Sequence, residues 1–234
     1  MRIEEILKRY RKSKKDYDAF SAESAYLDFI IPSTFTFVEG LNASSKLDDS
    51  EYEPMIRIHV INNFLANIVT SLEIYFKTLI QQYDNWDEEG YKKLFKEKIT
   101  LSEAFELFNR HKVTRQFLIA EHYSFQNFAI LDNVLSCLTG DSNILNKIET
   151  FETDLFKING HRIKKRSSLN KLYPEWRKTT TKLFDLRHEY IHEGKTTIST
   201  QSEAEDYHDT INTFQNATDD YFKHRYFDPL KIDE

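Results

Sequence analysis

The chain has 234 residues, of which 40% are hydrophobic and 30% charged, and its formal net charge is −6. This composition excludes an intrinsically disordered protein, and the single cysteine, Cys137, excludes an internal disulfide framework. Five glycines and four prolines predict few turns and long elements between them. No segment has the apolar length of a signal peptide or a membrane span, so we expect a soluble cytoplasmic protein.

The first third of the chain contains one clear helical pattern. Phe29 to Val38 is rich in Phe, Ile and Thr but contains Pro32, which predicts a short extended piece or a helix junction. Leu41 to Glu53 is rich in Asn, Ser and Asp and is predicted to be a loop. From Ile56 to Ile80, apolar residues recur every three or four positions, which predicts a long amphipathic helix that Pro54 is suited to begin.

Shorter helices are predicted in the middle of the chain. Thr100 and Glu103 form a capping-box pattern that should open a helix ending near Arg110. Two more helices should span Ser124 to Leu138, with Gly140 as the stop signal, and Asn143 to Phe156.

Two helices are predicted near the C-terminus. Pro174 should begin a helix that runs to about His192, with Gly194 as its C-terminal cap. The last helix should pack on another helix through a seam in which spacings of four and three alternate, formed by Tyr207, Ile211, Phe214, Thr218 and Tyr221.

These elements predict an all-α fold with an antiparallel helical bundle as its core. We expect a single all-helical domain over residues 1–234, with a core at about 55–226 and an N-terminal helical extension at 1–50. The segment 86–159 has no role that the sequence indicates.

A basic segment precedes the most distinctive motif. Between Lys157 and Arg187 there are ten Lys or Arg residues and two acids, a local excess of eight positive charges in an acidic chain. Such a segment can hold phosphates locally, although a solvated basic loop has the same composition. The candidate phosphate-binding residues are Arg162, Lys164, Lys165, Arg166, Arg177 and Lys178.

The motif Arg187-His188-Glu189-Tyr190-Ile191-His192 fits two patterns. The first is His188-Glu189-x-x-His192, in which two histidines would bind zinc and Glu189 would be the general base of a hydrolase. Glu203 or Glu205 would then supply the third ligand. Three features disfavour zinc: charged residues flank both histidines, Gly194 ends the helix two residues later, and no sheet is predicted to present a substrate. We therefore expect no metal and no cofactor.

The second pattern is Arg187-x4-His192, with His188 as the polar neighbour of the arginine and a glycine two residues after the last histidine. This motif resembles the signature of the HEPN superfamily (higher eukaryotes and prokaryotes nucleotide-binding), particularly its bacterial ribonuclease-like families. The resemblance implies a HEPN-type helical bundle with additional helices and a metal-independent endoribonuclease. It also implies a homodimer that acts on RNA as a toxin or anti-phage defence effector, with an antitoxin or defence-system partner.

RNA cleavage without a metal requires these residue types. The 2′-OH attacks the adjacent phosphorus, so the site needs proton transfer and a fixed positive charge on the phosphorane. By the resemblance, Arg187, His192 and His188 are the catalytic residues, and the products carry 2′,3′-cyclic phosphate and 5′-hydroxyl ends. Candidate supporting residues are Glu73, which could pair with Arg187, Glu189, and Tyr190, which could stack on a base.

One geometric difficulty accompanies this hypothesis. Arg187 falls inside a predicted apolar stripe formed by Trp176, Leu183, Phe184, Leu186, Tyr190 and Ile191, whereas His192 lies ~140° away around an ideal helix. Either the helix loosens before His192, or a second subunit completes the site. The alternatives that remain open are a noncatalytic HEPN module that binds nucleotide or protein, the zinc hydrolase, and an exposed salt-bridged pair of no catalytic importance.

Overall fold

The computed structural model describes residues 4, 6–8, 22–46, 53–82, 86–94, 105–152, 166–196 and 199–227. The regular structure of these residues is helical, which confirms the all-α class. The α-helices are α1 (Ala22–Ser45), α2 (Glu53–Gln82), α3 (Glu88–Leu94), α4 (Arg115–His122), α5 (Phe128–Thr139), α6 (Ile144–Thr150), α7 (Leu169–Leu172), α8 (Trp176–Glu193) and α9 (Gln201–Phe222), and short π-helical segments span Phe105–Arg110 and Lys223–Phe227. Among the described helices, none combines the length and the apolarity needed to cross a membrane.

The chain forms two compact units that are discontinuous in sequence. The first unit comprises Met1–Ala25 and Glu73–Ile144, and the second comprises Tyr26–Leu72 and Leu145–Glu234. Helix α2 contributes its last turns to the first unit and the rest to the second.

In the first unit, α3 packs closely on α5. The backbone N–H of Asp87 donates to the carbonyl of Leu138 over 2.6 Å, and Asp87 Oδ2 caps α3 by accepting from the N–H of Gly90. Gly90 lies so near α5 that a Cβ added to it would be 1.6 Å from the carbonyl oxygen of Cys137. Only glycine fits this contact without a backbone shift. A separate apolar cluster of the same unit consists of Ile6, Leu7, Leu107, Val113, Phe117 and Leu118.

The second unit contains most of α1, α2 and α6, together with α7, α8 and α9. Phe64 of α2 stacks on Phe37 of α1, with ring centroids 4.1 Å apart, and meets His208 of α9 edge-on at 5.4 Å. Trp176 of α8 packs on Phe214 of α9 at 4.6 Å. The predicted seam of α9 is confirmed because each of its five residues is buried.

The prediction for Phe29 to Val38 is wrong, because this segment lies inside α1 and Pro32 is accommodated in the helix. The Ser33 hydroxyl donates to the carbonyl of Phe29 and the Thr36 hydroxyl to that of Pro32. Burial explains the helix, since Tyr26, Ile30, Phe37 and Leu41 are buried at helical spacing. The outer side of α1 is also apolar, with exposed Leu27, Ile31, Phe35 (68%) and Val38.

Several predicted boundaries change. The predicted loop beginning at Leu41 starts later, because α1 continues to Ser45. The helix expected from Ser124 begins at Phe128, because the Asn127 side chain caps it, and it ends at Gly140 as predicted. Helices α3, α4 and α7 were not anticipated. The helix expected from Asn143 to Phe156 is described over Ile144–Thr150, and the proposed capping pair Thr100 and Glu103 lies outside the described residues.

Candidate functional site

Helix α8 carries the motif and is anchored at its first turn. Trp176 is 1% exposed, and its indole N–H donates to Glu149 Oε2 over 3.0 Å. The buried face of α8 continues through Thr180, Leu183 and Phe184. Because Trp176 meets Phe214 while Lys182 lies beside Tyr207, α8 runs antiparallel to α9.

The side chains in the last turns of α8 are not fully buried in the core. Leu186, Arg187 and Tyr190 are half-buried, and Ile191 is 50% exposed. The apolar stripe was predicted to continue to Ile191, but its buried part ends at Phe184. Arg187 therefore lies at the border between core and solvent. The Nε atom of its guanidinium is buried although the residue as a whole is half-buried, so part of the charged group lies within the packed part of the chain.

The end of α8 is well defined. Gly194 has a φ of 65°, the left-handed conformation in which glycine commonly ends helices, as predicted. The backbone N–H groups of Gly194 and Lys195 both point to the carbonyl of Glu189. The first of the two alternatives, that the helix loosens before His192, is wrong, because α8 remains α-helical to Glu193. Arg187 and His192 consequently point in directions ~140° apart.

The two histidines of the motif lie side by side on successive turns. The ring centroids of His188 and His192 are 4.9 Å apart, and both side chains are exposed. His188 Nε2 lies 4.0 Å from Glu193 Oε1. The hydrogen bond from Lys195 lowers the pKa of the Glu193 carboxyl, so this group is an anion beside His188.

The candidate supporting residues are placed as follows. Glu73, in the first unit, accepts hydrogen bonds from Gln126 Nε2 (2.8 Å) and Ser124 Oγ (3.4 Å). Glu189 and Tyr190, inside the motif, are half-buried. Tyr190 is thus partly accessible to a base, and Glu189 supplies the carbonyl that closes the helix end.

Among the described basic residues before the motif, four pair with acids of the second unit: Lys171, Arg177, Lys178 and Lys182. Arg177 Nε donates to Glu149 Oε2 over 2.8 Å, Arg177 also bonds to Asn146, and Lys178 lies 3.5 Å from Glu175. The other ion pairs of this region are Lys171–Glu152, Lys182–Glu203 and Lys195–Glu193. Of the remaining phosphate-binding candidates, Arg166 is exposed, whereas Arg162, Lys164 and Lys165 lie outside the described residues. Three of the described cations of this segment therefore pair with acids that lie outside it in sequence.

The zinc hypothesis requires a third ligand from α9. Glu203 instead forms a capping box with Thr200 and lies 4.0 Å from Lys182, and Glu205 accepts from Gln201. Across the described part of the chain, no three His, Cys, Asp or Glu side chains group as a metal site. The two motif histidines are therefore not joined by either glutamate expected to complete a catalytic zinc centre.

A groove between α8 and α9 was not anticipated from the sequence. Its volume is about 270 Å³, and it is lined by Glu175, Lys178, Thr179, Lys182, Glu203, Asp206 and Tyr207. The hydrogen bond with Tyr207 raises the pKa of Lys182. The helical spacing of 175, 178, 179 and 182 places these residues on one face and is the signal that could have indicated this groove.

Comparisons of the chain with protein-family models, curated proteins and solved structures give no match. The HEPN resemblance therefore stays a prediction from the Arg187-x4-His192 motif.

Proposed function

We propose that this protein is a metal-independent endoribonuclease of the HEPN type that acts as a homodimer. The observation that carries the proposal is the position of the motif. Arg187, His188 and His192 occupy the last turns of one ordered helix, where two exposed imidazoles lie within 4.9 Å of each other at the solvent border. A surface of this kind is accessible to a large polymeric substrate.

The residues supply what RNA cleavage needs. The 2′-oxygen loses its proton and attacks phosphorus, and the 5′-oxygen takes up a proton as its bond to phosphorus breaks. His192 serves in proton transfer, because an imidazole ring can accept a proton at one nitrogen and donate one from the other. The guanidinium of Arg187 can donate two hydrogen bonds to nonbridging phosphate oxygens. His188, next to His192, contacts the phosphate or orients the catalytic ring.

The helical geometry favours a site shared between two subunits. Arg187 and His192 of one chain diverge by ~140° around α8, so a single phosphate cannot easily meet both. A two-fold interface across the ends of two α8 helices would place Arg187 of one subunit opposite His192 of its partner. The exposed Ile191 between them would then be covered by the partner subunit.

The second candidate is a noncatalytic HEPN module that binds a protein or a nucleotide. The ion pairs of Arg177, Lys178 and Lys182 favour it, because cations already paired with acids attract a phosphate backbone less strongly. A nuclease with this surface should bind RNA weakly and in a salt-sensitive manner. The role as toxin or defence effector belongs to the proposal through the HEPN resemblance alone.

The test is cleavage of a labelled RNA by purified full-length protein in EDTA. We expect cleavage with cyclic phosphate ends, loss of activity in Arg187→Ala and His192→Ala, and activity close to wild type in His224→Ala, which removes another exposed histidine of the second unit. Glu189→Gln should matter far less than His192→Ala. RNA that stays intact, or activity that depends on added zinc, would contradict the proposal.

In cells, induced expression of the wild-type chain should slow growth, and the His192→Ala variant should be tolerated. Equal toxicity of the two would show that the harm does not arise from this site.

A further inference from the structure

The histidine pair of α8 has the geometry of a metal chelate. His188 and His192 are four residues apart on a regular α-helix, their ring centroids are 4.9 Å apart, and both rings face solvent. Imidazole nitrogens bind zinc at about 2.0–2.1 Å, so two nitrogens on one ion are separated by roughly 3–4 Å. Small side-chain rotations can bring one nitrogen of each ring to this separation. We infer that His188 and His192 bind one divalent transition-metal ion as an exchangeable two-ligand site.

The number of ligands defines the kind of site. In the described residues no third His, Cys, Asp or Glu joins the pair, so solvent occupies the other coordination positions. Glu193 lies 4.0 Å from His188 Nε2 but is held by Lys195. A two-ligand site is weaker than structural or catalytic zinc sites, which have three or four protein ligands. The ion is therefore an exchangeable ligand and not a resident cofactor.

Ligand type sets the metal preference. Imidazole suits Cu²⁺, Ni²⁺ and Zn²⁺, with Cu²⁺ the strongest binder of the first-row series, whereas Mg²⁺ and Ca²⁺ prefer oxygen ligands. The site should accordingly distinguish Ni²⁺ from Mg²⁺ at equal concentration. This selectivity separates chelation by the pair from general attraction of cations to an acidic protein.

A consequence follows for regulation, and this step rests on the proposed ribonuclease function. A metal on His192 occupies the nitrogen lone pair that proton transfer requires, and a metal on His188 removes the ring beside it. Transition-metal ions should therefore inhibit cleavage, and EDTA should restore it. The same residues that suggest a zinc enzyme by sequence would make zinc an inhibitor.

The test uses the untagged full-length protein and isothermal titration with NiCl₂ in a non-chelating buffer. We expect one Ni²⁺ per chain, affinity reduced by more than about tenfold in His188→Ala and in His192→Ala, and the wild-type affinity in His224→Ala. MgCl₂ should give no binding. Equal Ni²⁺ affinity in the His188→Ala/His192→Ala double variant, or no Ni²⁺ binding by the wild type, would overturn the inference.

Adding Zn²⁺ to the RNA cleavage assay separates the two proposals. Zn²⁺ that binds the pair and stops cleavage supports both the site and its regulatory role. Zn²⁺ that binds while cleavage continues would refute the regulatory role and leave the chelate intact. Protein that binds Ni²⁺ as described but never cleaves RNA would count against the ribonuclease alone.

Discussion

Glu149 and Arg177 form an ion pair in which Oε2 accepts from Nε over 2.8 Å, and the same oxygen accepts from the indole N–H of Trp176. One carboxylate from α6 thus fixes the first turn of the helix that carries the motif. The guanidinium of Arg177 in addition lies over the Trp176 ring, 5.1 Å from its centroid. This cluster joins residues that are almost thirty positions apart in sequence.

Glu149→Gln should lower the free energy of unfolding by about 1–2 kcal/mol, a value reduced from that of a buried charged hydrogen bond because Arg177 is partly exposed. Urea denaturation measures the change. Glu152→Gln is the matched control, because Glu152 pairs with the exposed Lys171, and its effect should stay within about 0.5 kcal/mol. Equal losses in both variants would show that the Trp176 and Arg177 contacts contribute no more than a surface pair.

His208 should make the protein less stable in mild acid. Burial lowers its pKa to about 4, whereas in the unfolded chain the pKa is near 6.5. As the pH falls below 6.5 the unfolded chain gains a proton that the folded chain does not, so stability is lost until the folded state is also protonated near pH 4. The loss from this group approaches roughly 3 kcal/mol. Replacing His208 by Phe should remove that part of the pH dependence, measured as the change in unfolding free energy between pH 7 and pH 4. Parallel curves for the two proteins would contradict it.

Gly90→Ala should destabilise the first unit strongly. The new Cβ would overlap the carbonyl of Cys137, and backbone cannot yield as a flexible side chain does, so we expect a loss of more than about 2 kcal/mol. Gly194→Ala is the comparison, because open space surrounds that position and only its φ of 65° is unfavourable. That variant should lose about 1 kcal/mol. The order of the two thermal midpoints tests the prediction, and a Gly90 variant as stable as wild type would refute the close contact.

A shared active site predicts complementation between inactive subunits. Arg187→Ala and His192→Ala chains, mixed and allowed to exchange, should regain part of the activity that neither has alone, because one interface site then keeps an intact arginine and an intact histidine. The measurement is RNA cleavage by the mixture compared with each variant at the same total concentration. A monomer in sedimentation at micromolar concentration that still cleaves RNA would argue against a site built from two chains.

Periodicity predicted the elements whose burial follows from their own sequence. The seam from Tyr207 to Tyr221 and the helix ending at Gly194 are local patterns, and both are confirmed. The helical course of Phe29 to Val38 escaped prediction because Pro32 and the β-branched residues disfavour a helix locally, while burial of Tyr26 and Phe37 outweighs that preference.

Residue spacing could not predict which acids pair with the basic side chains. Glu149 and Glu152, which pair with Arg177 and Lys171, come from α6 and the residues just after it, and nothing in the basic segment indicates them. The motif residues were found from the sequence, but the exposure of their side chains was not predicted. The apolar residues Tyr190 and Ile191 suggested a buried stripe, whereas packing on α9 ends earlier along α8.

Helix α8 has a buried, anchored first half and a more exposed second half, and this difference determines which of its residues can be substituted. Substitutions among residues 188–193 alter side chains that contribute little to the core, while Trp176, Leu183 and Phe184 hold the helix in place. The side chains at the helix end can therefore be replaced, by mutation or by design, without a folding defect. The residues of the supporting turns are constrained by their packing. A combinatorial library at positions 188, 189, 191 and 192 should yield mostly folded proteins, which makes this helix end a practical starting point for selecting new activities.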